Sequence, residues 1–422
     1  MSNAFSKEER VQFENVLEGF NDALVLSQNV AVFNTDQTMM ARTNDVIWRP
    51  QPYIAQSYDG TDATANFNGA TQLSVPVTIG TAKHSTAMLT SLELRDATQE
   101  QRLGDAAKQK LSSDINLAIM NVASNQGSLV VKRTVAATGF DDVALAKAIM
   151  DEQGVNMFDR CIAFSPRDAN GVSSNLAGRQ TMQGKPTTAY EACYIGRIAG
   201  FDTLSLDYAN RLNAATGGGS LTIDTRDSAA NYYIPVATST GVAGETSNVD
   251  NRFQTITISS TTGVAAGDAF TVAALNSVHH ITKQDTGQLK TFRVIQVASS
   301  TTLVITPPII TNQVASNSSA QYQNCVINTK ASNSAIVFLN TVTTSVNPFW
   351  QKDALEIIPG QYVVPADAGV GVLTGATDQG FQLVMTKFFD INTYKYKVRW
   401  DTFFGVANKQ PEMTGIMLFN QS

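Results

Sequence analysis

Along residues 98–125, TQEQRLGDAAKQKLSSDINLAIMNVASN, the apolar positions Leu103, Ala107, Leu111, Ile115, Ala118, Ile119 and Val122 recur three and four apart, which makes one stripe on an α-helix. Lys108, Lys110 and Asp114 fall off that stripe. No proline interrupts the run and Gly104 is its one weak point, so the spacing predicts a rod about 40 Å long at about 1.5 Å per residue, stopped by Gly127. Residues 7–26 predict a shorter amphipathic helix, with Phe13, Val16, Leu17, Phe20 and Leu24 on one face. Glu14, Glu18 and Asp22 recur every four residues on another face. That acidic ridge is either a solvated surface or a dock for a basic partner helix.

Between these helices the period changes to two. Residues 45–50 form an extended run in which Val46 and Trp48 share a face and Pro50 ends regular pairing. Residues 51–83 then read as a polar hairpin punctuated by Tyr58, Asp59 and Gly60, by Asp62, and by Asn68 and Gly69, before the alternating Leu73, Val75, Val77 and Ile79. A long two-stranded loop with few apolar anchors is unstable alone, so it is expected to lean on a neighbouring subunit. After the rod, residues 128–132 predict a strand. Asp141 and Asp142 are expected to cap a helix carrying Val143, Ala146, Ile149 and Met150, and residues 160–164 a buried strand. Ser165 and Pro166 open another helix, the serine as N-cap and the proline at the first helical position.

From Gly217–Gly219 to Val346 almost no helical period remains. Short alternating runs at 221–224, 232–236, 253–259, 269–273, 291–297, 302–306 and 325–328, separated by turn residues such as Gly267-Asp268 and Pro307-Pro308, predict a small β-barrel or sandwich. Residues 347–350, NPFW, return to the earlier style, so the barrel reads as an insertion. The tail alternates again, with strands expected at 381–385, 394–400, 403–406, 411–413 and 416–419. The fold class is therefore α+β with an inserted β-rich domain, barrel or sandwich.

Composition narrows the function. A chain of 422 residues with 43% hydrophobic content builds real cores, and a net charge of -6 with only 16% charged residues offers no basic excess for holding a polyanion. No run is long and apolar enough to span a membrane, and the first ten residues lack the apolar core of a signal peptide. The chain is read as cytoplasmic on those grounds. Cys161, Cys193 and Cys325 are odd in number and far apart, which favours buried free thiols over a disulfide framework. Low charge with abundant Ser, Thr, Asn and Gln suits a surface that packs against many copies of itself.

Catalytic chemistry is not visible. His84, His279 and His280 have no metal-ligand partner at a recognisable spacing, and no Cys-x-x-Cys pair occurs. Gly184-Lys185 is followed by Pro186 where a phosphate-binding loop needs a hydroxyl, and the Gly217–Gly219 run precedes no helix. Asp59 and Asp62 sit in turn-forming sequence, where aspartate is expected for backbone reasons. No catalytic residue, cofactor or metal is expected.

Taken in order, an acidic helical arm, an extended loop, a spine helix, an α/β middle region and a β-rich insertion resemble the major capsid proteins of tailed double-stranded-DNA bacteriophages, which have the Hong Kong 97 fold. The short-tailed Salmonella phage coat lineage, with its inserted barrel, is the most similar branch. Residues 44–50 (NDVIWRP), 121–129 (NVASNQGSL), 248–253 (NVDNRF), 255–263 (TITISSTTG), 347–350 (NPFW), 399–405 (RWDTFFG) and 411–413 (PEM) carry the resemblance. It implies an N-terminal arm at 1–33, an extended loop at 51–81, and a peripheral domain at 34–50 and 82–138 containing the spine helix. It further implies an axial domain beginning at 139–216, an inserted antiparallel β-barrel at 217–346, and closing strands of both domains at 347–422. The implied protein is a structural subunit of an icosahedral head, a homo-oligomer of hexamers and pentamers, assembled in the host cytoplasm and found in the virion. Its implied partners are a scaffolding protein, docking on Glu14, Glu18 and Asp22, and a portal protein. It encloses double-stranded DNA without sequence-specific binding. Tyr58, Asp59, Asp62 and Asn68 are expected on the inter-subunit loop, and Glu245, Asp250 and Arg252 on a barrel loop reaching between capsomers, although the segment before Asn248 is less charged than in the lineage. Two other classes stay open at this point: a β-rich tail-fibre or adhesin, and a cytosolic enzyme with a barrel appendage.

Overall fold

The computed structural model describes residues 7–33, 46–55, 57–64, 67, 71–90, 97–178, 195–207, 209–217, 221–223, 232–311, 321–327, 334–363 and 370–422. The chain divides into two compact units. One comprises residues 1–47, 77–119 and 355–407, the other residues 48–76, 120–354 and 408–422, and the division falls inside the longest helix.

In the first unit a six-stranded sheet runs in the order Ala31–Val32, Leu355–Pro359, Lys395–Asn408, Gln382–Asp390 and Gly371–Ala376, with Thr81–Thr90 also paired to Lys395–Asn408. Helix α1 (Lys7–Ala23) lays Phe13, Val16 and Phe20 inward. It approaches the edge strand closely because Gly375 has no side chain: a Cβ there would meet Leu17 at 2.7 Å and Phe13 at 3.0 Å. After the single turn of α2 (Val25–Gln28) comes α3 (Ala97–Gln126), the rod expected over residues 98–125. Its buried ridge is Ala107, Leu111, Ile115 and Ile119, with Leu103 and Ala118 only half-buried. Gly104 is not a defect: a Cβ there would lie 2.9 Å from Val16. Asn116, buried on the same helix, donates from Nδ2 to Ala23 O at 3.2 Å and accepts from Leu26 N at 3.4 Å, tying off the end of α1 and start of α2.

The second unit holds two sheets. A six-stranded sheet orders Leu129–Lys132, Thr414–Leu418, Asn347–Gln351, Arg160–Phe164, Phe201–Ser205 and Arg197–Ile198, flanked by α4 (Phe140–Glu152) and α5 (Pro166–Gly178). Leu129, Val131, Val143, Met150, Ile162, Phe164, Phe201, Phe349 and Met417 form its core. The NPFW stretch is wholly buried. Asn347 Oδ1 accepts from Ser165 N at 2.7 Å and its Nδ2 donates to Asp168 Oδ2 at 2.8 Å, while Ser165 Oγ accepts from Asp168 N at 3.3 Å, the N-cap bond expected for α5.

The other sheet is the barrel. Strands Thr222–Ile223, Ser334–Phe338, Ala269–Val278, Asp285–Val297, Thr302–Thr306 and Gln254–Thr257 pair in that order, with Cys325–Ile327 also on Ala269–Val278. A bridge between Ile223 and Ile258 joins the first strand to the end of the last, so the sheet closes on itself. Phe270 stacks on Phe292 at 5.6 Å inside it. Arg293, 1% exposed, donates to Gly267 O and Gly127 O, fixing the barrel to the end of α3. Cys161 and Cys325 are buried, and burial pushes both thiols up to about 12; Cys193 lies outside the described residues.

Several expectations are corrected. Helix α4 starts at Phe140 with Gly139 as N-cap, and the capping group is Asp142 at N3, which accepts from Thr138 N at 2.7 Å and Gly139 N at 3.1 Å. Gly139 has a φ of 136°, which a side chain at that position resists. Residues 232–236 form no strand. Pro411–Met413 is a 3-10 turn, since the proline cannot donate to a ladder, and the strand begins at Thr414. The extended loop is better anchored than expected: Ser74–Thr78 pairs with Val46–Pro50, and Leu73, Val75, Val77 and Ile79 are all buried. Among the described residues, exposure is continuous from Ser57 to Thr64 and includes Phe67.

Candidate assembly surfaces

On α1 the hydrophobic face is covered and Glu14 and Glu18 are exposed. Neither joins an ion pair with a described residue, whereas Glu9 on the same helix pairs with Lys387. The side chain of Asp22 lies outside the described residues. The exposed acids stand at i and i+4, so their like charges repel by a few tenths of a kcal/mol, a cost that a basic partner reverses.

At the extended loop, Tyr58, Asp59 and Asp62 are exposed, and Asn68 lies outside the described residues. Asp62 Oδ1 accepts from Thr64 N at 3.0 Å and Thr64 Oγ1 at 2.6 Å, which holds its carboxyl below the usual range. Gly60, at a φ of 102°, supplies the turn between Asp59 and Asp62. Phe67 is 86% exposed.

The barrel loop is a hairpin, Thr238–Thr240 paired with Thr246–Asn248, on which every residue is exposed. Its three candidate charges part company. Glu245 sits at the turn, beside Gly241. Asp250 and Arg252 meet each other at the base: Arg252 Nη2 donates to Asp250 Oδ2 at 2.7 Å and Nε to Oδ1 at 2.9 Å. Arg252, 9% exposed, also donates from Nη1 to Asn408 O at 2.9 Å and lies 5.0 Å above the Phe253 ring. Asn251 between them is buried and clamps the stem, accepting from Val236 N at 3.1 Å and Tyr233 OH at 2.9 Å and donating to Val236 O at 2.9 Å. Its role was not legible in the sequence, because an asparagine in a polar run looks like any turn residue.

Near that base a cavity of about 90 Å³ is lined by Ile54, Leu73, Val155, Pro308, Tyr322 and Met413 among others. Tyr322 donates there to Thr71 O, and buried Lys290 pairs with Glu412. Burial pushes the Glu412 carboxyl up, but Lys290 with its hydrogen bond outweighs that and the group stays below its ordinary value. Burial takes Lys283 down to about 8 and lowers His280. Tyr322, Lys283, Lys290 and Glu412, ion-paired or hydrogen-bonded to backbone, hold elements together and line up no nucleophile with a base. Among the described residues no group of His, Cys, Asp and Glu has the arrangement of a metal site.

The family model described as P22 coat protein, gene protein 5, matches residues 1–420. Among solved structures, the chain is similar to that titled Mycobacterium phage Che8, at 9% identity over 93% of this chain and 90% of that one, with a TM-score of 0.45. The capsid of Cyanophage P-SCSP1u follows at 9% identity over 93% and 87%, TM-score 0.44. The CUS-3 coat protein I-domain is 38% identical over 29% of this chain and 98% of that domain, TM-score 0.23. The end-to-end family match does not favour the tail-fibre and enzyme readings. The chain belongs to the P22 coat protein family, and it is a structural, non-enzymatic subunit of a multimeric bacteriophage head shell with an α+β fold, located in the virion.

Proposed function

We propose that this subunit self-assembles in the host cytoplasm, with a scaffolding protein and a portal protein, into a procapsid of hexamers and pentamers that matures around packaged double-stranded DNA. The division of α1 into a covered apolar face and an exposed Glu14–Glu18 ridge supports the scaffolding step, since a basic helix is the complement of that ridge. Tyr58, Asp59, Asp62 and Asn68 are assigned to contacts with a neighbouring subunit, and the hairpin carrying Glu245 to contacts between capsomers. Asp250 and Arg252 serve that contact by stiffening the base of the hairpin. The domain division that goes with this reading is arm 1–33, extended loop 51–81, inserted barrel 217–346, and peripheral and axial domains from the remainder. A net charge of -6 suits a wall that encloses DNA without gripping it. Many weak interfaces, summed by symmetry, supply the stability of the shell. Co-expression with the scaffolding partner is expected to give closed particles of uniform size by electron microscopy; a chain that stays monomeric across salt and concentration overturns the reading.

A further inference from the structure

Resting on the assignment of residues 238–253 to the inter-capsomer contact, we infer that two copies meet there edge to edge, pairing their Thr238–Thr240 strands antiparallel about a local two-fold axis at Ser239. Backbone hydrogen bonds and two valines, not ion pairs, then hold the contact.

The register of the hairpin fixes which backbone groups are available. Gly241 N donates to Glu245 O at 2.8 Å and Val249 N to Ala237 O at 3.2 Å, so the pairs 237/249, 239/247 and 241/245 turn their N–H and C=O groups toward each other. By alternation Thr238 and Thr240 direct theirs outward from one edge, and Thr246 and Asn248 from the other. No third strand covers either edge among the described residues. Natural proteins block such edges with lysine, proline or a bulge, and here all six strand residues are Thr, Ser or Asn, exposed and uncharged. A hairpin this short gains little stability alone, so its conservation of ladder geometry into solvent suits an edge that receives another strand.

The two edges are not equivalent. Antiparallel pairing about Ser239 sets Thr238 against Thr240 of the second copy and brings Val242, in the turn and 110% exposed, toward Val236 of the second copy, 41% exposed. Pairing about Ser247 instead sets Glu245 against Val249 of the second copy and covers a carboxylate with an apolar group. The first arrangement removes apolar surface from water and the second desolvates a charge, so the first wins. The internal Asp250–Arg252 pair is already satisfied and brings no free charge to the axis.

Antiparallel residues directly opposite each other and not hydrogen-bonded have Cα atoms about 4.5 Å apart, within disulfide reach, and Ser239 is such a residue on the axis. Assembled shells of Ser239→Cys under mild oxidation are therefore expected to yield a covalent two-chain species about tenfold above parent shells on a nonreducing gel, while Ser247→Cys shells stay at the parent level. Val242→Cys shells treated with a long flexible bis-maleimide report separately whether the hairpins meet at all. Two-chain product with the bis-maleimide but not from Ser239→Cys overturns the edge pairing and leaves the inter-capsomer assignment standing. Product at Ser247→Cys moves the contact to the other edge and overturns the proposal, and product at none of the three overturns both.

Discussion

Replacing Arg252 by alanine separates a charge that serves the folded chain from one that serves the lattice. The guanidinium makes a two-pronged contact with Asp250, donates to the carbonyl of fully buried Asn408 and stacks on Phe253. Hydrogen bonds to charged groups contribute about 1.5–3 kcal/mol, and an orphaned buried carbonyl costs about 1–3 kcal/mol. Asp250, partly exposed, regains water when its partner goes, which trims the total. Arg252→Ala is thus expected to destabilise the unassembled chain by about 3 kcal/mol in urea unfolding followed by fluorescence. Glu245→Ala, at an exposed turn, is expected to change it by less than about 0.5 kcal/mol. A double-mutant cycle with Asp250→Ala should return a coupling of about 1–3 kcal/mol. If Arg252→Ala leaves the monomer as stable as the parent and adds independently to Asp250→Ala, the pair is not structural and the reasoning fails.

Three further outcomes are expected. Gly415→Ala places a Cβ 2.3 Å from Phe349 and 2.7 Å from Leu129, both in the buried core; a loss of about 3 kcal/mol is expected, and near-parent stability in chemical denaturation would show that this packing is misread. Lys283 holds its proton less tightly folded, at about 8, than unfolded, near 10.5. Between those values the unfolded chain binds more protons, so stability should rise with pH across that window, and Lys283→Met should flatten the rise; an unchanged profile contradicts the assignment. Glu14→Lys combined with Glu18→Lys should weaken co-sedimentation of the basic scaffolding partner at least about tenfold and abolish its salt dependence, while leaving the fold intact by circular dichroism. Undiminished, salt-sensitive binding removes the ridge from the docking reaction.

What the residue pattern disclosed was local in origin. The rod of α3 announces itself because a 3.6-residue period persists over many turns, and the Ser165–Pro166 start of α5 because capping is a matter of adjacent residues. The alternating runs of the barrel were legible for the same reason, but its closure through Ile223 and Ile258 depends on partners dozens of residues apart, and Ser334–Phe338 passed unnoticed beside a polar stretch. Pro411–Met413 looked like a strand because its neighbours are strands, although the proline lacks the donor that a ladder needs. The surfaces were legible to different depths. Glu14 and Glu18 follow from helical spacing alone. Asp250 and Arg252 are exposed-looking charges in a polar loop, and only the three-dimensional placement of Asn408 and Phe253 shows that the arginine faces inward, with the aspartate paired to it. Asn251 gave no signal, since its partners Val236 and Tyr233 are reached through the turn of the hairpin.

Amide hydrogen exchange, compared between the unassembled chain and closed shells, tests most directly whether the exposed pieces of this subunit are completed by its neighbours. Slowed exchange is expected on assembly at residues 57–64 and at Thr238 and Thr240, with the buried strand Asn347–Gln351 protected in both states. Equal and rapid exchange of the loop and hairpin in both states would mean that the lattice never covers them, and the assembly role given to these surfaces would be wrong.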